Sequence, residues 1–150
     1  MEDVQKILKL FPAAGSEQRP WGVFFCIDSK FTQKFAERFF PHFEISNQLA
    51  SPKLLIVYPG KRLSWQYHRR REELWNVVSE TAGVVAGFSD EEPGMRTCSF
   101  GERMVIACGE RHRLIAFEKP VIVAELWVHT DSKNPSDEKD IVRLQDDFGR

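Results

Sequence analysis

The spacing of apolar residues changes character near residue 53. Before it, two stretches carry apolar positions at helical intervals. Val4, Ile7, Leu8 and Phe11 form one stripe that Pro12 ends, so residues 2–11 are expected to be a short amphipathic helix. Phe31, Phe35, Ala36 and Phe39 form another, closed by Pro41, and residues 30–40 are read as a second helix or an aromatic-anchored excursion. Between them, a small and polar loop leads through RPWG at 19–22 into a strand-like GVFFCI at 22–27. From Lys53 onward, short β-prone runs are punctuated by Pro59-Gly60, Pro93-Gly94, Gly101, Gly109 and Pro120. Strands are expected at 53–58, 63–68, 73–79, 83–88, 95–100, 103–107, 112–117 and 121–129. Strands so spaced predict a closed or double-sheet all-β fold rather than alternating βαβ units. The charged tail, SDEKDIVRLQDDFGR, is expected to lie over the barrel as a short helical or extended segment.

A length of 150 residues fits one domain with a real core. Within residues 1–150, we expect an N-terminal extension at 1–52, a barrel core at 53–130 and a packing tail at 131–150. The balance of 42% hydrophobic and 29% charged residues is that of a soluble globular chain. A formal charge of −1 gives no basic surplus for a phosphate backbone, so no nucleic-acid partner is expected. No apolar run is long enough to span a bilayer, and MEDVQKILKLF lacks the pattern of a signal peptide. Cys26, Cys98 and Cys108 are far apart and odd in number, which argues for a reducing compartment and a cytoplasmic location. Without a CxxC, a thiolate zinc site is not expected.

The chemistry concentrates in GKRLSWQYHRRREELW, residues 60–75. Alternation along a strand puts Gln66 and His68 on one side and Trp65 and Tyr67 on the other. If residues 69–72 form a four-residue turn, His68 faces Glu73 across a hairpin and Gln66, His68 and Glu73 converge. An amide oxygen, an imidazole and a carboxylate make a partial shell for a borderline divalent ion. His112, just after the Gly109 turn, offers a fourth ligand. In the same register Trp75 pairs with Gln66, either as a sugar-stacking platform or as core. Trp21, Trp65 and Trp127 are read as core or interface, and His42 as surface.

These residues resemble the cupin superfamily, whose motifs run G-x5-H-x-H-x4-E-x6-G and G-x5-P-x-G-x2-H-x3-N. Gly60, Gln66, His68 and Glu73 fall at the offsets of the first motif, and Gly101, Gly109 and His112 at those of the second. The departures are Gln66 for His, Glu80 for Gly, Ala107 for Pro and Ala116 for Asn. A narrower resemblance rests on RPWG, PGKRLSWQYHRRREELWNVVS at 59–79, GERHRL at 109–114 and DIVRLQDDFGR at 140–150. Together these are similar to the type II phosphomannose isomerase cupins, with Arg70 where that family often carries His. The resemblance implies a jelly-roll barrel and one divalent ion held by Gln66, His68, Glu73 and His112. Zinc is the first expectation, with manganese, iron, nickel and cobalt open. It implies aldose–ketose isomerisation of a sugar phosphate, mannose 6-phosphate and fructose 6-phosphate first, and a homodimer. Isomerisation or epimerisation of another phosphosugar such as a heptose phosphate, and sugar binding without turnover, are the alternatives. For the phosphate, Arg71 is the first candidate, followed by Lys53 and Arg150. For the base, Glu80, Lys53 and His129 stay open, since spacing places none of them.

Overall fold

The computed structural model describes residues 2–45 and 48–150; residues 46 and 47, within the expected N-terminal extension, lie outside the described residues. Two helices, α1 (Val4–Leu10) and α2 (Thr32–Phe39), accompany eleven strands. These are β1 (Ala13–Arg19), β2 (Gly22–Ile27), β3 (Ala50–Val57), β4 (Trp65–Tyr67), β5 (Arg71–Val77), β6 (Thr81–Gly87), β7 (Arg96–Ser99), β8 (Arg103–Ile106), β9 (Arg111–Ile115), β10 (Val121–His129) and β11 (Val142–Gln145). They form a six-stranded sheet, β1-β2-β3-β10-β5-β8, and a five-stranded sheet, β11-β4-β9-β6-β7. All of the pairings are antiparallel. The result is the all-β double-sheet jelly roll that the turn-punctuated pattern predicts.

The large sheet is covered on both sides, which is why every residue of β10 is buried. On its outer face, Leu54, Leu74, Ile122, Ala124, Leu126 and Val128 pack against Ile7, Phe11, Phe35 and Phe39. The two predicted helices supply this cover. Phe35 meets Phe11 edge-on at 5.4 Å and Phe39 at 4.7 Å between ring centroids. Asp3 caps α1 by accepting a hydrogen bond from the Gln5 amide. On the inner face, Leu55, Val57, Trp75, Val77, Val121 and Val123 fill the barrel against Ala82, Val84 and Leu114 of the small sheet and Ala116 just beyond it.

Two features depart from the sequence reading. Residues 13–19, read as loop, form β1 at the edge of the large sheet. The strand is exposed along almost its whole length and is held by backbone pairing to β2, so no apolar alternation marks it. More consequential, β4 and β5 are not a hairpin. β4 pairs with β9 and β11 in the small sheet, whereas β5 pairs with β10 and β8 in the large one. Residues 68–70 carry the chain across a barrel corner, with Gly109 N–H donating to the His68 carbonyl from the facing loop. Glu73 therefore stands opposite Trp127 and Ile106, and Trp75 opposite Glu125 and Met104 rather than Gln66.

Candidate metal centre

The predicted convergence exists, but it is built across the barrel instead of across a hairpin. Gln66 on β4 sits opposite His112 on β9, and both project inward from the small sheet. Glu73 reaches toward them from β5 in the large sheet, and His68 sits at the corner between the two. His68 Nε2 lies 3.1 Å from one Glu73 oxygen, and His112 Nε2 lies 3.3 Å from the other. The two imidazole rings are 5.0 Å apart between centroids. One ligand atom from each of His68, Glu73 and His112 lies within 4.8 Å of the others, and all three residues are buried.

Each ring is oriented from behind. His68 Nδ1 donates to the Asp140 carbonyl at 2.6 Å, and His112 Nδ1 donates to the Glu110 carbonyl at 2.9 Å. A proton fixed on Nδ1 leaves each Nε2 an acceptor on the side of Glu73; that of His68 faces Arg71 Nη2 at 3.1 Å, and that of His112 has no partner. Burial holds the His68 pKa down, against the pull of Glu73, so this ring is neutral near pH 7. Glu73 behaves oppositely. Burial raises its pKa, but Arg71, His68 and His112 outweigh that and keep the carboxylate charged. Although His112 Nε2 and Glu73 Oε2 are close, they make no hydrogen bond, and both are buried without a partner. Two orphaned lone pairs pointing at one spot fit a cation and suit little else.

Gln66 completes the group with one adjustment. Its Nε2 lies 3.5 Å from His68 Nε2, while Oε1 accepts a hydrogen bond from Ser64 at 2.5 Å. A half-turn of the amide exchanges the two atoms, presents the oxygen to the centre and leaves Ser64 an N–H donor.

The cluster lies in the wall of a cleft of about 570 Å³, a volume that includes space open to solvent at its mouth. Gln66, His68 and Glu73 line it together with Arg71, Lys53 and Arg150, so six of the seven predicted site residues share one cleft. His112 stands behind them, fully buried. Arg71 is less free than expected. It donates to Glu73 at 2.8 Å, to Ser136 at 2.8 Å and to the Asp137 carbonyl, its Nη2 faces His68 Nε2 at 3.1 Å, and its plane covers the Trp127 ring at 3.4 Å. Lys53 is buried against Trp127 and Phe24 and ion-paired with Glu138. Arg150 folds back onto Asp146.

Sequence reasoning missed Arg19, Arg143 and Glu125, which also line the cleft. Arg143 is opposite Gln66 in the β11–β4 pair. Burial and the neighbouring Arg150 and Arg19 depress its pKa, the mark of guanidinium groups gathered at one mouth. Glu125 is fully inside, and burial, reinforced by Glu73, lifts its pKa to about 8. Its available signal was a carboxylate within the otherwise apolar run 121–128.

The open base candidates separate cleanly. Glu80 pairs with Lys119 beside a surface groove at Thr81 and Phe117, away from the cluster. His129 uses both ring nitrogens, one accepting from the Ser136 amide and the other bonded to Ser51. Lys53 alone reaches the cleft. Trp75 is core, with no exposed surface, and cannot be a stacking platform. Trp21, Trp65 and Trp127 are likewise buried, and His42 is on the surface. Among the described residues no helix is long and apolar enough to cross a membrane.

Known proteins share this fold. In solved structures, the chain superposes on a Lactobacillus farciminis oxalate decarboxylase with a TM-score of 0.59 at 22% identity, covering 87% of this chain and 33% of that one. It superposes on the Staphylococcus aureus capsular polysaccharide assembling protein CapF with a TM-score of 0.57 at 16% identity, covering 91% and 32%. At such identities the likeness establishes the fold, a cupin jelly roll. By sequence, it is 29% identical to the xanthan biosynthesis protein XanB of Xanthomonas campestris pv. campestris (strain B100) and 31% identical to the alginate biosynthesis protein AlgA of Pseudomonas aeruginosa. It is 28% identical to the mannose-1-phosphate guanylyltransferase ManC of Salmonella typhimurium. Each alignment takes in 100% of this chain but only 28% of the relative. Residues 14–146 match the family model described as mannose-6-phosphate isomerase, C-terminal, and the chain belongs to that family.

Proposed function

We propose that this chain is a metal-dependent aldose–ketose isomerase of a sugar phosphate, with mannose 6-phosphate and fructose 6-phosphate as the first pair to test. The observation that carries the reading is the pair of orphaned lone pairs, on His112 and Glu73, at the wall of a cation-lined cleft. His68, Glu73 and His112 would hold the ion, with Gln66 joining through its amide oxygen, and zinc is our first assignment for such a nitrogen–oxygen set. When bound, a divalent ion polarises a sugar carbonyl or orients the adjoining hydroxyls.

The chain's own groups do the rest. Arg71 braces Glu73 and His68 in position through its bonds to the tail, and adds positive charge beside the ligand oxygens. Arg143, with Arg19 and Arg150 around it, is placed at the mouth to take a phosphate dianion, and Lys53 adds a cation deeper in. The wall formed by Trp21, Phe24, Leu55, Leu63 and Trp127 excludes water from the sugar carbons. In this reading residues 1–150 act as one cupin unit, and the active form is a homodimer, to be tested by sedimentation.

A second reading draws on the relatives' names. ManC is a guanylyltransferase, and this chain spans only 28% of its length. The same site would then bind a phosphosugar without turning it over, beside a separate transferase unit. One experiment separates the two: metal analysis of the purified protein, then an isomerase assay on mannose 6-phosphate with and without chelator. Stoichiometric metal and chelator-sensitive conversion are the expected result. Metal without conversion of any hexose phosphate leaves the binding module.

A further inference from the structure

Glu125 is the one carboxyl group of the cleft that neither the metal cluster nor an ion pair uses. It lies on β10 directly between Lys53 of β3 and Trp75 of β5, and Glu73 is its diagonal neighbour on the same sheet face. Its side chain is almost fully buried yet forms part of the cleft wall. Oε2 accepts the Trp75 indole N–H and Oε1 accepts the Trp127 indole N–H, each at 2.7 Å. Among the described residues no Lys, Arg or His nitrogen lies within 4.0 Å of either oxygen, and the nearby Lys53 ammonium is paired with Glu138. The indoles are rigid. Trp75 packs edge-on to His112 at 5.5 Å, and Trp127 is clamped between Lys53 and Arg71.

We infer that Glu125 is the catalytic residue that carries the proton between C1 and C2 of the sugar, an assignment that rests on the isomerase reading above. The carboxylate takes the proton from C2, and the C2–H electron pair becomes the C1=C2 bond of an enediolate as the C1 carbonyl π pair moves onto its oxygen. A proton passes from the C2 oxygen to the C1 oxygen, the C2 carbonyl forms, and Glu125 returns its proton to C1. Atoms and electrons balance within the substrate, and no co-reactant is needed.

Two neutral N–H donors suit this task. They orient the group and solvate it in both protonation states, so nothing must rearrange when the proton comes or goes. An ion pair would hold it permanently charged, as Arg71 does Glu73. Two buried carboxyl groups on one sheet face are thus driven apart. Glu73 stays charged as a ligand, while Glu125 is poised near neutrality, with Glu73 on one side opposed by Lys53 and Arg71.

The test compares wild type, Glu125→Gln and Glu125→Asp on mannose 6-phosphate in deuterated water. We expect Glu125→Gln to lose about 10³-fold in kcat and to stop exchanging the C2 hydrogen, with metal content and KM within about threefold of wild type. Glu125→Asp should recover part of the rate with a displaced pH profile. Independently of turnover, the Trp75 and Trp127 indole N–H resonances should titrate together in wild type and stay flat in Glu125→Gln. Glu125→Gln with wild-type turnover and exchange overturns the assignment and leaves the isomerase reading standing. Loss of metal in both variants overturns it too, by making the residue structural. If Glu125→Gln does not fold, Glu125→Asp decides: kcat at least tenfold down with KM and metal kept supports the assignment, and unchanged kcat overturns it. Wild-type protein that binds metal and sugar phosphate but neither converts the sugar nor exchanges its C2 hydrogen removes the isomerase reading, and this one with it.

Discussion

The two faces of β10 were built for different ends. Ile122, Ala124, Leu126 and Val128 point outward into an apolar layer beneath α1 and α2, edged by Asn76 and Arg103, which both donate to the Phe39 carbonyl. The alternate residues point into the barrel, begin as Val121 and Val123, and then become Glu125 and Trp127. The outer face and the first half of the inner face are plain core. The second half holds Lys53, Arg71, Glu73, His68 and Glu125 almost dry, an arrangement that opposes burial and persists only through dense pairing. Adhesion and chemistry are thus separated by the period-two geometry of one strand, at a distance of one residue.

Four measurements would break or sharpen that contrast. Phe35→Ala, in the outer layer, is expected to lower unfolding stability by about 3–5 kcal/mol while metal stoichiometry holds, read by urea denaturation and metal analysis. A matching loss of metal would show that the faces are coupled. Asp140→Asn is the inner counterpart. Its oxygens accept from the Arg69 and Arg70 amides and from Ser136, while its carbonyl orients His68. Metal affinity should weaken about 10–100-fold, roughly 1.4–2.7 kcal/mol.

The third concerns pH. Glu125 has a folded pKa above its ordinary value of 4.5, so its contribution is fully present below pH 4.5 and is lost as pH rises through about 8. Metal-free wild type should lose a few kcal/mol between pH 5 and 9, and Glu125→Gln should lack that limb. Glu73 and Asp140 have the opposite sign, since partners hold both below their usual range, and their contribution fades only as pH falls below about 4. Last and smallest, Arg143→Gln should raise KM for the sugar phosphate about tenfold, roughly 1.4 kcal/mol, with kcat and metal content unchanged.

Much of this was legible before any coordinates. Residues 121–129 were read as a strand with the bounds that β10 shows, because its turn signals and β-branched run agree. Motif offsets gathered Gln66, His68, Glu73 and His112 into one place. The path between them was misread, since a four-residue link looks the same whether it closes a hairpin or crosses a corner from one sheet to another. β1 was invisible because an edge strand with both faces wet carries no periodic signal. Glu125 and Arg143 were missed for a different reason. Each owes its place to cross-strand register, Glu125 to Lys53 and Trp75 and Arg143 to Gln66, and register links residues far apart in the chain.

The segment from Ser136 to Gln145 carries one more consequence. Asp140 fixes His68 from 72 positions away, Ser136 and Glu138 hold Arg71 and Lys53, and Gln145 meets the buried Arg113. During synthesis the barrel strands leave the ribosome first, and these closing contacts form only after residue 145 has emerged. Loops of such length close slowly, so ion capture is expected to follow the docking of this segment rather than guide the folding of the strands before it. An ion that binds the finished site alone then stabilises it in proportion to the logarithm of its free concentration. Metal supply would thereby set how firmly β11 is kept in place.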